Sequence, residues 1–359
     1  MNLTLHLTAD CNLRCRYCYE THCKKHMTRD TALKAVDLVF SYGHRTNGFS
    51  LFGGEPLLER ELAEEICRYA CAEAEKRNVQ VRFKMTTNGT LLDEAFLRFA
   101  SEHNLEIALS HDGLLQDRQR LTRDGKPTLE KLEPVIDLLL KYQPDAVALQ
   151  TVTPLTVDGM AESVQWLYKR GFSRINSVID YRPNAGWDDC SLAVLKEQYE
   201  AIAELMESYF DESRPLLFLP FLTKISAYLN SRPCLECKLG VRQPSVAEDG
   251  SIYPCNQFLY LPEYRIGDVF TGIRQEKQLT VYRASLAPEP DCEGCSISDR
   301  CRHHCACLNF SLTGNMHLVA PVQCEHERIL IPVADELASR LYNQKSSRFL
   351  QNYREDSLE

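Results

Sequence analysis

The amino-acid sequence predicts an α/β fold, a parallel sheet carried on successive β/α units, followed by a smaller loop-rich region stapled by metal. Three observations carry this. Six short apolar strand candidates alternate with amphipathic helical stretches over the first 180 residues. Polar or glycine-rich stretches fall where the first four of those strands end. Nine of the sixteen cysteines crowd into residues 234–324, where helical spacing is sparse. Six such units admit an open doubly wound sheet or a partial barrel. In both, chemistry collects at the C-terminal ends of the strands.

The strand candidates are Leu3–Thr8, Gly48–Phe52, Val79–Thr86, Leu105–Ser110, Ala146–Val152 and Ser173–Ile179. Between them, Leu62, Ile66 and Tyr69 make one helical apolar face, and Leu129, Leu132, Val135, Ile136 and Leu139 make another. Thr28 suits an N-cap, and Gly43 and Gly171 suit helix C-termini. Strand one runs into Cys11–Cys18, strand two into Gly53-Gly54-Glu55-Pro56, strand three into Thr87-Asn88-Gly89 and strand four into Ser110-His111-Asp112-Gly113. Each glycine motif alone reads as a turn; four on one rim read as a site. A long helix is expected at Leu192–Phe210 and another at Glu325–Tyr342, with a frayed charged tail over Asn343–Glu359.

With 359 residues the chain exceeds one ordinary core, so a large domain and a smaller one are expected. Lys and Arg total 41 against 50 Asp and Glu, a net charge of −9. That balance offers no phosphate-binding surface, which argues against nucleic acid as a partner. The longest apolar stretch, Pro215–Leu222, is eight residues with two prolines, too short to span a bilayer. The first residues, MNLTLHLTAD, show no basic segment followed by an apolar core. A cytoplasmic protein without membrane partners is expected. Sixteen cysteines in a reducing compartment point to metal or iron–sulfur ligation rather than disulfides.

The first cluster, Cys11-Asn-Leu-Arg-Cys15-Arg-Tyr-Cys18, has the spacing C-x3-C-x2-C with an aromatic residue before the third cysteine. Three thiolates on one loop can hold three irons of a cubane and leave the fourth without a protein ligand, whereas electron-transfer clusters use four. A zinc site is the alternative, and it would need a local fourth ligand. This signature resembles the radical S-adenosylmethionine (radical SAM) superfamily, over roughly residues 1–230. The resemblance implies a partial (β/α)6 TIM-like barrel and a [4Fe–4S] cluster on Cys11, Cys15 and Cys18. It also implies S-adenosylmethionine as cofactor, cleaved reductively to a 5′-deoxyadenosyl radical. By the same resemblance Gly53, Gly54 and Glu55 meet the methionyl amine, and Asn88 and Ser110 contact the cofactor. Arg120 stands where an arginine is expected near the carboxylate, with Arg118 and Arg123 close by in sequence. A reductant such as flavodoxin or ferredoxin is implied.

The second constellation reads Cys237-x12-Gly250-x4-Cys255, a gap, then Cys292-x2-Cys295-x5-Cys301-x3-Cys305 and, eighteen residues on, Cys324. Taken alone, C-x2-C and C-x3-C pairs also suit zinc ribbons. The pattern resembles the SPASM extension of radical SAM enzymes, with all seven of its cysteines present. The resemblance implies two auxiliary [4Fe–4S] clusters. Cys237, Cys255 and Cys305 fall to the nearer one, with Cys234 as candidate fourth ligand, and Cys292, Cys295, Cys301 and Cys324 fall to the farther one. Three cubanes make about twelve irons per chain. The domains expected are a core over 1–230, a SPASM domain over 231–325, and a C-terminal helix and tail over 326–359. Cys23, Cys67, Cys71, Cys190 and Cys307 stay unassigned, Cys67 and Cys71 as packing residues on a helix. His111, His303 and His304 are candidate acid–base groups, though lone histidines are more often ordinary polar residues.

SPASM enzymes act mostly on peptides or protein side chains, so a peptide substrate is expected. The family's sulfatase-maturing group carries an Asp after the cysteine matching Cys255, as a base; here the residue is Asn256, and an amide takes up no proton near neutral pH. Gln257-Phe258 resembles the thioether-forming peptide maturases. The reading from sequence is therefore a thioether or carbon–carbon cross-link in a ribosomally made peptide, with formylglycine formation in a sulfatase as the alternative. An iron–sulfur electron carrier and a zinc scaffold are the alternatives from other classes. The chain enters its first strand at Leu3, so a leader-gripping winged-helix module is not expected. Leader binding would fall to a separate protein or another surface, or would not be needed.

Overall fold

The computed structural model describes residues 1–229, 237–286, 292–301 and 305–353. They group into two compact units that interleave along the chain. The first is Met1–Ser110, Leu121–Gln143 and Cys237–Ala287; the second is His111–Arg120, Pro144–Glu236 and Pro288–Glu359.

In the first unit, β1 (Asn2–Thr8), β2 (Thr46–Gly53), β3 (Gln80–Thr87) and β4 (Leu105–Ser110) lie side by side, all parallel. Their period-two pattern explains the pairing. Leu3, Leu5 and Leu7 of β1 share a face with Phe49, Leu51, Phe83 and Met85, each 1% exposed or less. That face takes the helices: Phe40 of α1 (Arg29–Ser41) packs 6.4 Å from Phe49, which stacks on Phe83 at 6.0 Å. Each such side chain contributes roughly 1.5–3 kcal/mol on burial. The opposite face is polar. There Gln243 Nε2 donates to Thr4 and Ser50, His6 meets Phe52 edge-on, and Lys84 pairs with Glu106 at 3.3 Å.

Helices α1, α2 (Arg60–Arg77), α3 (Glu94–Glu102) and α4 (Leu129–Tyr142) follow their strands as the periodicity predicts. Thr28 caps α1 by accepting from the Thr31 amide at 3.2 Å. On the far side of β1 the sheet turns mixed. Ser245–Val246 runs parallel to β1, and Ser251–Tyr253, Gly267–Asp268 and Gly272–Ile273 continue antiparallel. These segments of two or three residues are too short to carry a readable period, so the sequence predicts only a loop-rich region here.

The second unit has β5 (Val147–Val152) parallel to β6 (Arg174–Ile179), which pairs with Leu217–Phe218 inside the apolar stretch noted above. Its helices are α5 (Met160–Arg170), α6 (Asp189–Tyr209) and α7 (Leu219–Leu229). The long helix Pro321–Asn343 packs on α6 and α7. Asp188 and Ser191 form a reciprocal capping box on α6, which starts three residues before the expected Leu192. The tail corrects an expectation. Residues Ser347–Asn352 are helical rather than frayed, because Ser346 caps the Phe349 amide and Phe349 is buried. Arg348 Nε also reaches the Phe210 carbonyl at 2.7 Å. Among the described residues no helix is long and apolar enough to cross a membrane.

Candidate metal and cofactor site

Because β1 to β4 are parallel neighbours, Thr8, Gly53, Thr87 and Ser110 end on the same edge of the first unit's sheet. Their loops are laced together. The Gly54 amide donates to the Thr8 carbonyl at 2.8 Å and the Glu55 amide to the Asp10 carbonyl at 2.9 Å. Gly53 has φ +126°, and a β-carbon there would lie 2.3 Å from the Thr8 oxygen; one on Gly54 would lie 2.2 Å from the Asp10 oxygen. Backbone meets backbone at both positions, so only glycine fits. Replacing Gly54 with alanine is therefore expected to cost about 1–3 kcal/mol by overpacking and to displace the cysteine loop. Denaturant midpoint and bound iron should fall together; an unchanged midpoint would show that the loop yields freely.

Glu55 is fully buried and acts as a brace. Its Oε1 accepts from the Leu57 amide at 3.0 Å and the Thr87 hydroxyl at 2.7 Å, and its Oε2 accepts from the Asn88 amide at 2.8 Å. Burial raises its pKa, against those bonds. With its carboxylate spent on β3's end, the backbone of the glycine stretch is what can meet a ligand. Asn88 donates to Asn12 at 2.8 Å and toward Cys11 Sγ at 3.8 Å. Its Oδ1 accepts from the Thr90 amide and hydroxyl.

Cys11 is buried and Cys15 and Cys18 are half-buried on this loop. The Cys18 amide donates to the Cys15 carbonyl at 3.1 Å, and the Leu13 amide to Cys11 Sγ at 3.4 Å. Burial pushes the Cys11 thiol up to about 12, and the charges of Glu55, Cys15 and Cys18 add to it. A soft cation offsets such mutual repulsion, so three thiols and an amide donor suit an iron–sulfur group. Among the described residues no three His, Cys, Asp or Glu side chains converge on the place of a single ion. A cubane asks for thiolates at separate irons.

Of the three arginines near residue 120, Arg123 is the one bonded to this loop. Its Nε donates to the Cys11 carbonyl at 2.6 Å, and it pairs with Asp10. Arg120 and Arg118 belong to the second unit. Arg120 is bidentate on Asp112, at 2.8 and 3.1 Å, and both are buried. Arg118 pairs with Asp158. His111 is buried against Trp166, accepts from the Gly113 amide, and is held neutral because burial pushes its imidazole down to about 3. His303 and His304 lie outside the described residues.

The second constellation divides between the units. In the first, Cys237 is exposed and Cys255 half-buried, its thiol donating to Asn256 Oδ1 at 3.0 Å. Asn256 Nδ2 donates to the Tyr19 hydroxyl at 3.2 Å, so the first cysteine loop and Cys255 are linked through Tyr19 and Asn256. In the second unit, Cys324 Sγ accepts from Arg328 Nε at 3.4 Å, and Cys295 also acts on that guanidinium. The Cys295 amide donates to the Cys292 carbonyl. Cys301 is buried, and Cys305 Sγ lies 3.6 Å from Cys307 Sγ. Cys234 lies outside the described residues. Cys67 is buried on α2 and Cys71 half-buried, and Cys190 is exposed.

Compared with known proteins, residues 5–167 match the model of the Radical SAM superfamily. The chain carries a radical SAM domain. The chain is 25% identical over 325 residues to a cysteine-type anaerobic sulfatase-maturating enzyme of Clostridium novyi, covering 83% of this chain and 85% of that one. It is 25% identical over 354 residues to a serine-type anaerobic sulfatase-maturating enzyme of Klebsiella aerogenes, covering 90% and 83%. Its fold matches the solved structure of native anSMEcpe with bound AdoMet and the Cp18Cys peptide. The TM-score is 0.81 at 22% identity, over 95% of this chain and 99% of that one.

The sequence names Arg123 only as a neighbour of Arg120, and it gives no sign of Asp10, Asn12, the Tyr19–Asn256 link or the acid groups Glu20 and Glu248. The link joins residues 237 positions apart, and no local pattern announces it.

Proposed function

We propose that this radical SAM enzyme oxidises a cysteine or serine side chain of a protein or peptide to formylglycine. What supports this over the cross-link read from sequence is the likeness, along most of both chains, to sulfatase-maturating enzymes of both the cysteine and serine types. Asn256 stands against it, since the family's base is an aspartate there. Cys11, Cys15 and Cys18 would hold the [4Fe–4S] cluster, with Gly53, Gly54, Glu55, Asn88 and Ser110 around S-adenosylmethionine. Cys234, Cys237, Cys255, Cys292, Cys295, Cys301, Cys305 and Cys324 would hold the two auxiliary clusters. Residues 1–230, 231–325 and 326–359 would then be the core, the SPASM domain and the C-terminal helix and tail.

When bound, the cluster and S-adenosylmethionine supply a radical able to abstract an unactivated hydrogen. The chain's part is positional. Glu55 ties β2's end to β3's, Gly53 and Gly54 let the backbone approach the cysteine loop, and Arg123 fixes the carbonyl of Cys11. Anaerobically reconstituted protein should be incubated with dithionite, S-adenosylmethionine and sulfatase-derived Cys and Ser peptides. Formylglycine is expected by mass spectrometry and aldehyde capture. Release of 5′-deoxyadenosine without aldehyde, alongside a thioether in a cysteine-rich peptide, would restore the cross-link reading.

A further inference from the structure

Within the first unit, next to both cysteine stretches, lies a set of acid groups that the steps above leave unused. The Tyr260 hydroxyl donates to Glu248 Oε2 at 2.7 Å and lies 2.9 Å from its Oε1. Glu248 is 5% exposed and Tyr260 40%, so the phenol is the outer end of the pair and the carboxylate the inner one. Tyr260 has φ +64°, a conformation that bulky residues adopt only when their surroundings impose it, at about 1–3 kcal/mol. It follows Cys255 by five positions, on the segment whose Asn256 reaches Tyr19 beside Cys18.

The charged and titratable groups facing the pair come from several segments. The Lys25 ammonium sits 4.9 Å from the centre of the Tyr260 ring. Glu20 and Cys23 act on the phenol, and Lys25 and Asp249 on Glu248. His6 Nδ1 lies 3.9 Å from Glu20 Oε1, and both Glu20 Oε1 and His6 Nε2 are buried without a hydrogen-bond partner. Polar atoms left buried and unpaired in this way are rare in folded proteins.

We propose that Tyr260 and Glu248 together accept the proton of the substrate's reacting side chain. The thiol or hydroxyl proton passes to Tyr260 Oη as the phenol's own proton passes to the Glu248 carboxylate. One S–H or O–H bond breaks, one O–H bond forms on Glu248, and no electron moves in this step. The neighbouring Asn256 is an amide and cannot do this. Burial raises the carboxyl of Glu248, so it holds a received proton well, and burial with the Glu248 contact raises the phenol, which stays protonated as a relay requires. The proposal rests on the side-chain oxidation read above.

The test compares reconstituted wild type, Tyr260→Phe and Glu248→Gln on the sulfatase-derived Cys and Ser peptides, across pH. A raised carboxyl accepts protons only above its pKa, so wild-type product formation should climb with pH through that range. Both variants should lose roughly a hundredfold in aldehyde formed per 5′-deoxyadenosine released. Glu248→Gln should also flatten the pH dependence, and Glu248→Asp should restore part of it. An unchanged ratio, or an unchanged pH profile in Glu248→Gln, overturns the proposal. A loss of cofactor cleavage in equal measure also overturns it, because the pair would then serve the cofactor site. Wild type inert on both peptides refutes the oxidation reading itself, and the pair's role with it.

Discussion

Alanine in place of Cys15 is expected to abolish S-adenosylmethionine cleavage while leaving the fold intact. Cys15 is half-buried, and its carbonyl receives the Cys18 amide at 3.1 Å, a backbone contact that alanine keeps. Losing the thiol should therefore cost no more than about 0.5 kcal/mol. The chemistry is another matter. A loop with two thiolates cannot hold a cubane by three irons, so bound iron should fall from about twelve to about eight per chain. Release of 5′-deoxyadenosine should drop to background. The measurements are iron content, thermal midpoint and nucleoside release on one anaerobic preparation. If cleavage persists at full iron, the loop at β1's end is not the cluster site.

The largest stability effect should come from Lys224→Ala in the second unit. Lys224 Nζ lies 2.5 Å from Glu327 Oε2, with both side chains 2% exposed, and it also donates to the Arg300 carbonyl at 2.8 Å. Removing one partner strands a buried carboxylate, which typically costs about 3–5 kcal/mol. The double change Lys224→Met with Glu327→Leu removes both charges and should cost much less. Urea unfolding of the two variants against wild type measures the difference. A loss below about 1 kcal/mol in Lys224→Ala would mean that water reaches the carboxylate.

The strands were legible because parallel, buried strands repeat every two residues and end in recognisable turns. Val79–Thr86 became Gln80–Thr87, and Leu105–Ser110 is unchanged. The motifs that end β1, β2 and β3 belong to adjacent strand ends in the first unit, and Gly53 and Gly54 are glycines for a reason the sequence could only hint at. Glu55 reads from sequence as a cofactor contact, yet its side chain joins two loops, because Thr87 and Asn88 come within reach only in the folded sheet. The two-residue strands beside β1 and the short helix at Ser347–Asn352 stayed hidden, since each depends on a partner far along the chain.

Local order of residues therefore determined the β/α alternation, the helix caps and the cysteine spacings, since each is written in neighbours a few positions apart. Tertiary structure decided which polar groups meet: Arg123 at Cys11, Asn256 at Tyr19, Glu248 under Tyr260. Those pairings depend on the path of the backbone between distant segments. Hydrogen bonds act over about 3 Å, a distance that separation in sequence does not report.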